Sequence, residues 1–304
     1  MGSVRVGGRE VGDGAPCWVV AELGQNHNGD VGLALRMIDA AKAAGADAVK
    51  FQKREVDLAV PDAQRGALRS TPWGVMSYLN YRHRLELGRD DYDAIDAHCR
   101  SVGIPWFASV WDEASLEFLV GRYRLPAIKV PSACLTDLPL LRHCRATGRP
   151  IVMSTGMSTL DEIERACHVL GTPGTQDRLG DIMISAAPLL LMHCRSTYPA
   201  AYPELNLLAI RSLRELYGVP VGYSGHEVGL WTTLCAVALG ACAVERHFTL
   251  DRAMWGTDQA ASVEPRGLEQ LVRQIRHFEQ ARGDGRIGPT ESEAPVRARL
   301  RRIT

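Results

Sequence analysis

The sequence has few charged residues for its length, and the charges that it carries cancel. Charged residues make up 23% of the 304 positions, and 35 basic residues are balanced by 35 acidic ones. A chain without net charge has no overall field that would attract nucleic acid or an anionic membrane, so both classes of partner are excluded. Any anionic ligand must be bound by a local group of cations.

Other missing features narrow the class of protein further. No stretch approaches the roughly 20 apolar residues of a membrane span, and the amino terminus lacks the basic and apolar regions of a signal peptide, so we expect a cytoplasmic protein. The eight cysteines include no CxxC pair, which argues against a disulfide framework or a structural zinc site. With 46% hydrophobic residues, the chain can bury the core of one large domain.

The sequence does contain a regular alternation of short apolar runs with longer segments of helical periodicity. Eight runs are predicted to be strands, at residues 17–24, 46–52, 105–110, 127–132, 150–155, 188–194, 219–226 and 243–249. Each is followed by a predicted helix, at residues 31–44, 90–102, 113–120, 138–147, 159–170, 205–217, 228–239 and 267–281. Glycines follow six of these helices, where a left-handed cap favours a residue without Cβ, at positions 45, 103, 148, 171, 218 and 240.

Eight β-α units predict an α/β fold, a (β/α)8 TIM barrel, as a single domain over residues 1–285 with a tail over residues 286–304. A doubly wound open sheet is the alternative, but no GxGxxG motif follows the first strand. The longest connection, residues 53–89, is predicted to be an irregular loop that closes over the site or contacts a second subunit. A plain surface loop with solvated charges is the alternative there.

In a parallel barrel the chemistry lies at the carboxyl-terminal ends of the strands, and the polar residues of the predicted strands are found there. Candidates for catalysis or substrate binding are Glu22, Lys50, Gln52, Ser109, Lys129, Ser132, Ser154, Arg195, Ser224 and Glu245. Side chains two residues apart share one face of a strand. Glu245 and His247 are therefore predicted to face one cavity, while Arg246 points the other way.

Two imidazoles, His226 and His247, end adjacent predicted strands. Such a pair suits a borderline divalent metal such as Mn²⁺, Zn²⁺ or Fe²⁺, with open positions for water and substrate. The alternative is that both are hydrogen-bonded core histidines.

Lys50 and Lys129 end apolar strands, where an unpaired ammonium is unfavourable. Together with the serines at neighbouring strand ends, they predict a receptor for phosphate and carboxylate. Salt bridges to Glu22, Glu245 or Asp47 are the alternative, and a Schiff-base lysine is a further one. Glu22 itself is a candidate general base, or only the neutralising partner of a lysine.

Eight segments, in order along nearly the whole chain, resemble the sialic acid synthase family. They are AELGQNHNGD (21–30), GADAVKFQ (45–52), FASVWD (107–112), IKVPSACLTD (128–137), IVMSTGMSTLDEI (151–163), HCRSTYP (193–199), GYSGHEVG (222–229) and ALGACAVERHFTLDRAMWGTDQAASVEP (238–265). The resemblance implies a TIM-barrel enzyme that condenses phosphoenolpyruvate with an aldose to give a 3-deoxy-2-keto sugar acid and phosphate. We also expect a homodimer or homotetramer.

The resemblance further implies roles for individual residues. His226 and His247 would bind a divalent metal, usually Mn²⁺, and Glu22 would act at the reacting centre. Phosphoenolpyruvate would be held by Lys50, Ser109, Lys129, Ser132, Ser154 and Ser224. The sugar side would be lined by Arg195, Tyr198, Glu245 and Asp258.

Two departures from the family pattern concern the acceptor sugar. Members that act on N-acylmannosamines carry a glutamate where this chain has Cys134, and they continue into an antifreeze-like domain near the point where this chain stops. We therefore expect family-like binding of phosphoenolpyruvate, with N-acetylmannosamine a poor substrate and an aldose that is phosphorylated or lacks the acetamido group preferred. A metal-dependent aldolase or hydrolase that acts on a sugar acid, and a binding protein without catalytic activity, are the alternatives.

Overall fold

A computed structural model describes residues 2–172 and 187–303. Within these ranges eight parallel strands form the centre of the molecule: β1 (Trp18–Gly24), β2 (Ala48–Lys53), β3 (Trp106–Val110), β4 (Ile128–Val130), β5 (Ile151–Ser154), β6 (Leu189–Cys194), β7 (Val221–Gly225) and β8 (Ala243–His247). Each strand pairs with its neighbours in the chain, and β8 pairs with β1, so the sheet is a closed barrel. The predicted (β/α)8 barrel is confirmed and the open sheet is excluded.

Eight helices in the described ranges surround the barrel: α1 (Val31–Ala43), α2 (Arg89–Val102), α3 (Glu113–Arg122), α4 (Leu138–Ala146), α5 (Leu160–Leu170), α6 (Ala209–Tyr217), α7 (Trp231–Ala238) and α8 (Pro265–Ala281). Local chemistry fixes their ends. At the starts of α1 and α5, the side chains of Asp30 and Thr159 accept hydrogen bonds from backbone N–H groups of the first turn. The six glycines predicted as caps all have positive φ, from 63° at Gly218 to 104° at Gly240, as a left-handed cap requires.

The barrel is packed on both of its faces. Inside, Trp18 of β1 stacks on Phe107 of β3 with 5.2 Å between ring centroids. Outside, Tyr92 of α2 stacks on Trp106 of β3 at 5.7 Å, and both rings contact Phe51 of β2. Close packing of this kind allows little movement, so the strand ends form a rigid frame for the side chains at the mouth.

A β-hairpin that the sequence patterns did not predict covers the amino-terminal end of the barrel. Its strands, Ser3–Val6 and Arg9–Gly12, pair antiparallel. Arg9 of the hairpin and Arg276 of α8 both form ion pairs with Asp47, which directly precedes β2, at 2.5 and 2.8 Å. Asp47 is therefore at the opposite end of the barrel from the strand-end lysines and is not their partner.

Residues 54–88 between β2 and α2, which we name the β2–α2 segment, are not irregular as predicted. The segment contains the short helices Val56–Ala59, Asp62–Arg65 and Tyr78–Leu85, and a hairpin of strands Leu68–Thr71 and Gly74–Ser77. Its Trp73 packs edge-on against Trp255 in the loop after β8, with 5.5 Å between ring centroids. The segment therefore reaches the carboxyl-terminal mouth of the barrel.

The remaining elements are short. Single 3₁₀ turns lie at Ser132–Cys134, Tyr202–Glu204, Gln259–Ala261 and Glu291–Glu293, and a final helix spans Ala294–Leu300 with no buried residue. All eight cysteines are free thiols, as predicted. Among the described residues, no helix combines the length and apolar character that crossing a bilayer demands.

Candidate active site

Side chains from all eight strands meet at the carboxyl-terminal mouth around a cavity of about 210 Å³, which we name the inner cavity. Period-two alternation along each strand turns these residues inward. Twelve predicted site residues line it: Glu22, Lys50, Gln52, Ser109, Lys129, Ser132, Ser154, Tyr198, Ser224, His226, Glu245 and His247. Arg246 faces outward as predicted, and its guanidinium forms an ion pair with Glu227 at 3.3 Å.

Lys50 is the centre of a buried ionic network. Its Nζ lies 2.8 Å from Glu22 Oε2 and 3.6 Å from Glu245 Oε1, and it donates to Ser109 Oγ at 2.9 Å. Burial alone would lower the pKa of Lys50, but the two carboxylates outweigh it and raise that pKa above its usual value. Lys50 is therefore charged, and the salt bridges foreseen as one alternative are present within the cavity.

The two carboxyl groups of the network differ in proton affinity. Burial raises the pKa of Glu22, whose Oε1 accepts a hydrogen bond from Gln52 Nε2 at 2.8 Å. Burial would also raise the pKa of Glu245, but Lys50 and Lys129 outweigh it and lower that pKa. Two neighbouring carboxyl groups with opposite pKa shifts are typical of a site that moves protons, and Glu22 is the group better able to accept one.

Lys129 is buried without an ionic partner. Its Nζ donates to Ser154 Oγ at 2.5 Å and to the Val130 carbonyl at 3.1 Å, and no carboxylate of the described ranges lies within the 4.0 Å limit of an ion pair. Burial lowers its pKa. An ammonium held among hydroxyl groups, with no carboxylate in contact, is suited to binding an anion from solution.

The two predicted metal ligands are adjacent, with 5.5 Å between ring centroids. His226 Nδ1 donates to the Arg195 carbonyl, and burial lowers the pKa of His226 to about 4, so the ring is neutral with Nε2 unprotonated. His247 Nδ1 is buried without a hydrogen-bond partner and lies 3.7 Å from Asp258 Oδ2. An oriented neutral imidazole such as that of His226 is a typical metal ligand. Within residues 2–172 and 187–303, however, no three His, Cys, Asp or Glu side chains are arranged to hold a metal.

A second cavity of about 220 Å³, which we name the outer cavity, lies next to the inner one. Both are lined by Gln52, Trp111, Tyr198 and His247, so a molecule can extend from one into the other. Asp258 lines only the outer cavity, with Gln25, Arg54, Ala59, Val60, Pro61, Tyr78, Arg82 and Thr257. Half of this wall comes from the β2–α2 segment.

Arg195 is a predicted site residue that lines neither cavity. Its Nε donates to the Glu204 carbonyl at 2.5 Å. The Nε2 of His193, two residues earlier on the same face, donates to the Leu205 carbonyl at 2.8 Å. Both side chains therefore face the surrounding loop in this structure, and the contact of Arg195 with the sugar stays a prediction. Cys194 and Ser196 face the inner cavity instead.

Cys134 also lies outside both cavities. Its buried thiol is directed at the Trp111 carbonyl, 3.7 Å away, and burial raises its pKa to about 12. Asn26, which follows β1, is structural as well, because its amide donates to the Phe248 carbonyl and to Ser262 at 2.8 Å each. These contacts fasten the loop after β1 to the loop after β8.

Several lining residues were not predicted. Cys194 and Ser196 share one face of β6 and its extension, and His193 and Arg195 share the other. Assigning the first of these faces to the inside of the barrel would have found Cys194 and Ser196. Gly156 allows a close approach at the same place, because a Cβ there would be 2.4 Å from Ser196 Oγ and 2.9 Å from Ser132 Oγ. Trp111 is half-buried beyond the end of β3, and no periodicity indicates the direction of its ring.

Comparison with known proteins is consistent over most of the chain. A model of the NeuB family matches residues 37–287. The N,N'-diacetyllegionaminic acid synthase of Legionella pneumophila is 37% identical over 293 residues, which are 96% of this chain and 80% of that protein. The N-acetylneuraminate-9-phosphate synthase of Mus musculus is 36% identical over 95% of this chain and 76% of its own length.

A solved structure is similar over its full length. The N-acetylneuraminic acid (sialic acid) synthetase from Leptospira borgpetersenii serovar Hardjo-bovis, crystallised in complex with citrate, superposes with a TM-score of 0.83 at 30% sequence identity. The match covers 99% of this chain and 98% of that one.

Proposed function

This chain belongs to the NeuB family, and from that premise we propose how the mouth of its barrel carries out the reaction. The chain is a sialic acid synthase-type enzyme that condenses phosphoenolpyruvate with an aldose and releases phosphate, giving a 3-deoxy-2-keto sugar acid. The observation that carries the assignment of roles is the inner cavity, where two buried lysines and a set of hydroxyl groups adjoin His226 and His247.

Phosphoenolpyruvate is proposed to bind in the inner cavity. Lys50 and Lys129 would hold its phosphate and carboxylate, since charge-assisted hydrogen bonds to a buried ammonium are strong. Hydroxyl groups would complete the receptor, from Ser109, Ser132, Ser154 and Ser224. Ser109 and Ser154 already contact the two ammonium groups, which supports their placement beside the same anion.

A divalent metal, with Mn²⁺ as the first choice, is proposed at His226 and His247; enzymes of this family are generally metal-dependent. The residues fit such an ion, because one imidazole is oriented by a backbone carbonyl and the other has a buried nitrogen without a partner. Two lysines and two glutamates leave the inner cavity without net charge, so a cation would favour entry of the phosphoenolpyruvate anion. When bound, the ion supplies a Lewis acid for the aldehyde oxygen.

The chain's own groups would then handle the charge and the protons. The new bond forms between C3 of phosphoenolpyruvate and the aldehyde carbon of the sugar, water adds at C2, and the C2–O bond to phosphate breaks. We propose that Glu22 accepts the proton that the water loses, because its pKa is raised by burial. Lys50, 2.8 Å from Glu22, would hold the departing phosphate.

The acceptor aldose is proposed to occupy the outer cavity, with its aldehyde directed at the shared wall. Gln52, Tyr198 and Asp258 would contact its hydroxyl groups. We propose that N-acetylmannosamine is a poor acceptor. Cys134 stands where members that act on N-acylmannosamines carry a glutamate, and its buried thiol lines neither cavity and carries no charge.

The test is phosphate release by the full chain with phosphoenolpyruvate, Mn²⁺ and a panel of aldoses. We expect release that depends on the aldose, a sugar acid of matching mass, loss of both in EDTA and recovery with Mn²⁺. His247→Ala should lose bound metal and turnover while its circular dichroism spectrum and melting temperature remain those of a folded barrel.

Two results would contradict these proposals. Full activity in EDTA, or a His247→Ala variant that keeps its metal, would remove the histidines as ligands. Formation of the sugar acid from pyruvate without phosphate release would favour the metal-dependent aldolase instead.

A further inference from the structure

Two arginines in the wall of the outer cavity have no ionic partner. Arg54 is 4% exposed and Arg82 is 9% exposed, and both line this cavity. In the chain as described, outside residues 173–186, neither guanidinium lies within 4.0 Å of a carboxylate. A buried charge normally pairs with an opposite one, because the energy lost on leaving water is otherwise not recovered.

The existing contacts of the two arginines are to neutral groups. Arg82 Nη1 donates to Gln25 Oε1 at 2.7 Å, and Arg54 Nη2 donates to Gln52 Oε1. Gln25 in turn donates to Gln52 at 3.3 Å, so one chain of amides connects the two cations. Arg54 also lies over the ring of Trp111 at 4.3 Å, and among the described residues its buried Nε has no hydrogen-bond partner. One N–H donor of Arg54 is therefore unused.

The surrounding charges leave this wall positive. Of the charged groups around Arg54, Glu86 acts most strongly on its pKa, but the Glu86 carboxylate binds Lys53 at 2.9 Å and the backbone N–H of Arg54 at 3.1 Å. Asp258 lines the same cavity and faces the His247 ring. The wall of the outer cavity thus carries two guanidinium groups and a single carboxylate. This carboxylate, of Asp258, faces His247 at the boundary with the inner cavity.

We propose that Arg54 and Arg82 bind the phosphate group of a phosphorylated aldose, which makes a sugar phosphate the acceptor of this enzyme. The inference rests on the proposed function, because it assumes that the acceptor occupies the outer cavity. A phosphate ester carries about −1.5 to −2 charges and three acceptor oxygens, which matches two guanidinium forks better than a single carboxylate does. The aldehyde would face the wall shared with the inner cavity, and the phosphate would lie at the far end.

The experiment compares two matched acceptors, N-acetylmannosamine 6-phosphate and N-acetylmannosamine, in the full chain with phosphoenolpyruvate and Mn²⁺. We expect kcat/KM to be about 100-fold higher for the phosphorylated sugar. Arg82→Gln should lower kcat/KM for the phosphorylated sugar about 10-fold to 100-fold, because the KM for that sugar rises. The ratio of kcat/KM between the two acceptors should therefore fall about 10-fold to 100-fold in this variant, while the KM for phosphoenolpyruvate stays within about 2-fold of that of the unchanged chain.

Control variants separate binding from folding. Arg89→Gln, at the exposed start of α2 and outside the lining of both cavities, should leave the kinetics with both acceptors unchanged. Arg54→Lys keeps the charge but loses the forked guanidinium, so it should selectively weaken binding of the phosphorylated acceptor. This variant serves as the test if Arg54→Gln fails to fold.

Titration calorimetry with N-acetylmannosamine 6-phosphate gives a second readout that needs no turnover. If no aldose promotes phosphate release but the sugar phosphate binds in an Arg82-dependent manner, the proposed reaction is wrong and the anion site stands. Equal losses for both acceptors in Arg82→Gln, or no preference for the phosphorylated sugar in the unchanged chain, would overturn the anion site itself.

Discussion

Glu22 occupies an environment that favours the neutral carboxylic acid and yet lies in contact with a cation. It is 1% exposed, and burial raises its pKa, while Lys50 at 2.8 Å stabilises the ionised form. Burial thus favours uptake of a proton by Glu22, and the charge of Lys50 opposes it. A buried carboxyl group with a raised pKa beside a cation in a cavity is typical of a functional site.

The first prediction concerns this residue. Glu22→Gln should lower kcat by about 100-fold or more with little change in the KM for phosphoenolpyruvate, because the amide keeps the shape of the side chain but accepts no proton. The acidic limb of the pH profile, in which activity falls as Glu22 becomes protonated, should disappear in the variant. Steady-state kinetics over pH measure both effects. A near-normal kcat would leave Glu22 as a charge neutraliser.

His27 provides a pH-dependent contribution to stability. It is buried, its Nδ1 accepts the Gly29 N–H at 3.1 Å, and burial lowers its pKa to about 4. The unfolded chain, with a histidine pKa of about 6.5, binds more protons than the folded chain between these values. The contribution of His27 to stability is therefore constant above about pH 7 and falls as the pH is lowered from about 6.5 to 4.

The second prediction is that the free energy of unfolding decreases over that window, by up to about 3 kcal/mol for His27 alone. His226, whose pKa is also about 4, acts in the same direction, so the measurement belongs in EDTA. Urea unfolding at a series of pH values gives the free energy of unfolding as a function of pH. The decrease of this free energy between about pH 6.5 and pH 4 should be smaller for His27→Gln and unchanged for the exposed His83→Gln. Identical decreases for all three chains would contradict the assignment.

At the scale of elements, the barrel itself could be predicted and its longest connection could not. The strands and helices follow from hydrophobic periodicity, and glycine caps such as Gly103 and Gly171 mark the ends of helices in the sequence. The helices Val56–Ala59 and Asp62–Arg65 have only four residues each, too few to be stable alone, so contacts distant in the chain decide their conformation. Periodicity carries no information about such contacts.

The hairpin of the β2–α2 segment supports the outer cavity without lining it. Arg69 lies over the ring of Tyr78 at 4.7 Å, and Tyr78 is part of the cavity wall. Trp73 packs against Trp255, which joins the segment to the loop after β8. These contacts hold the helix Tyr78–Leu85 in place over the mouth.

The third prediction follows from this arrangement. Replacing residues 68–77 by two glycines should raise the KM for the acceptor about 10-fold or more, with the KM for phosphoenolpyruvate unchanged, because only the outer cavity loses its support. Val75→Ser, an exposed change on the same hairpin, is the matched control. Unchanged acceptor kinetics after the replacement would show that the hairpin is a plain surface loop.

At the scale of the whole molecule, a chain without net charge gathers buried charged side chains, among them Glu22, Lys50, Lys129 and Glu245, at the carboxyl-terminal end of the barrel. The strand-end residues of the inner cavity were predictable because parallel strands in a barrel bring their carboxyl ends together. The position of Arg195 outside both cavities was not predictable, because the alternation fixes only which residues share a face, and not which face is inward. Arg54 and Arg82 lie on the β2–α2 segment, where no periodicity places them at the cavity.

The last prediction concerns the boundary of the folded unit, which the sequence patterns place at residue 285. Every residue from 281 to 303 is exposed, and the helix Ala294–Leu300 buries no side chain, so these residues contribute little to the stability of the barrel. A chain cut after residue 285 should keep its melting temperature within about 1 °C and its kcat/KM for both substrates. A cut after residue 274 should instead destabilise the barrel strongly, because it removes the buried Ile275 and the Arg276 ion pair with Asp47.

Differential scanning calorimetry measures the stability of the two shortened chains and the full chain, and light scattering measures their oligomeric mass. A lower melting temperature and a smaller mass for the chain ending at 285 would place the tail in a contact between subunits and move the boundary.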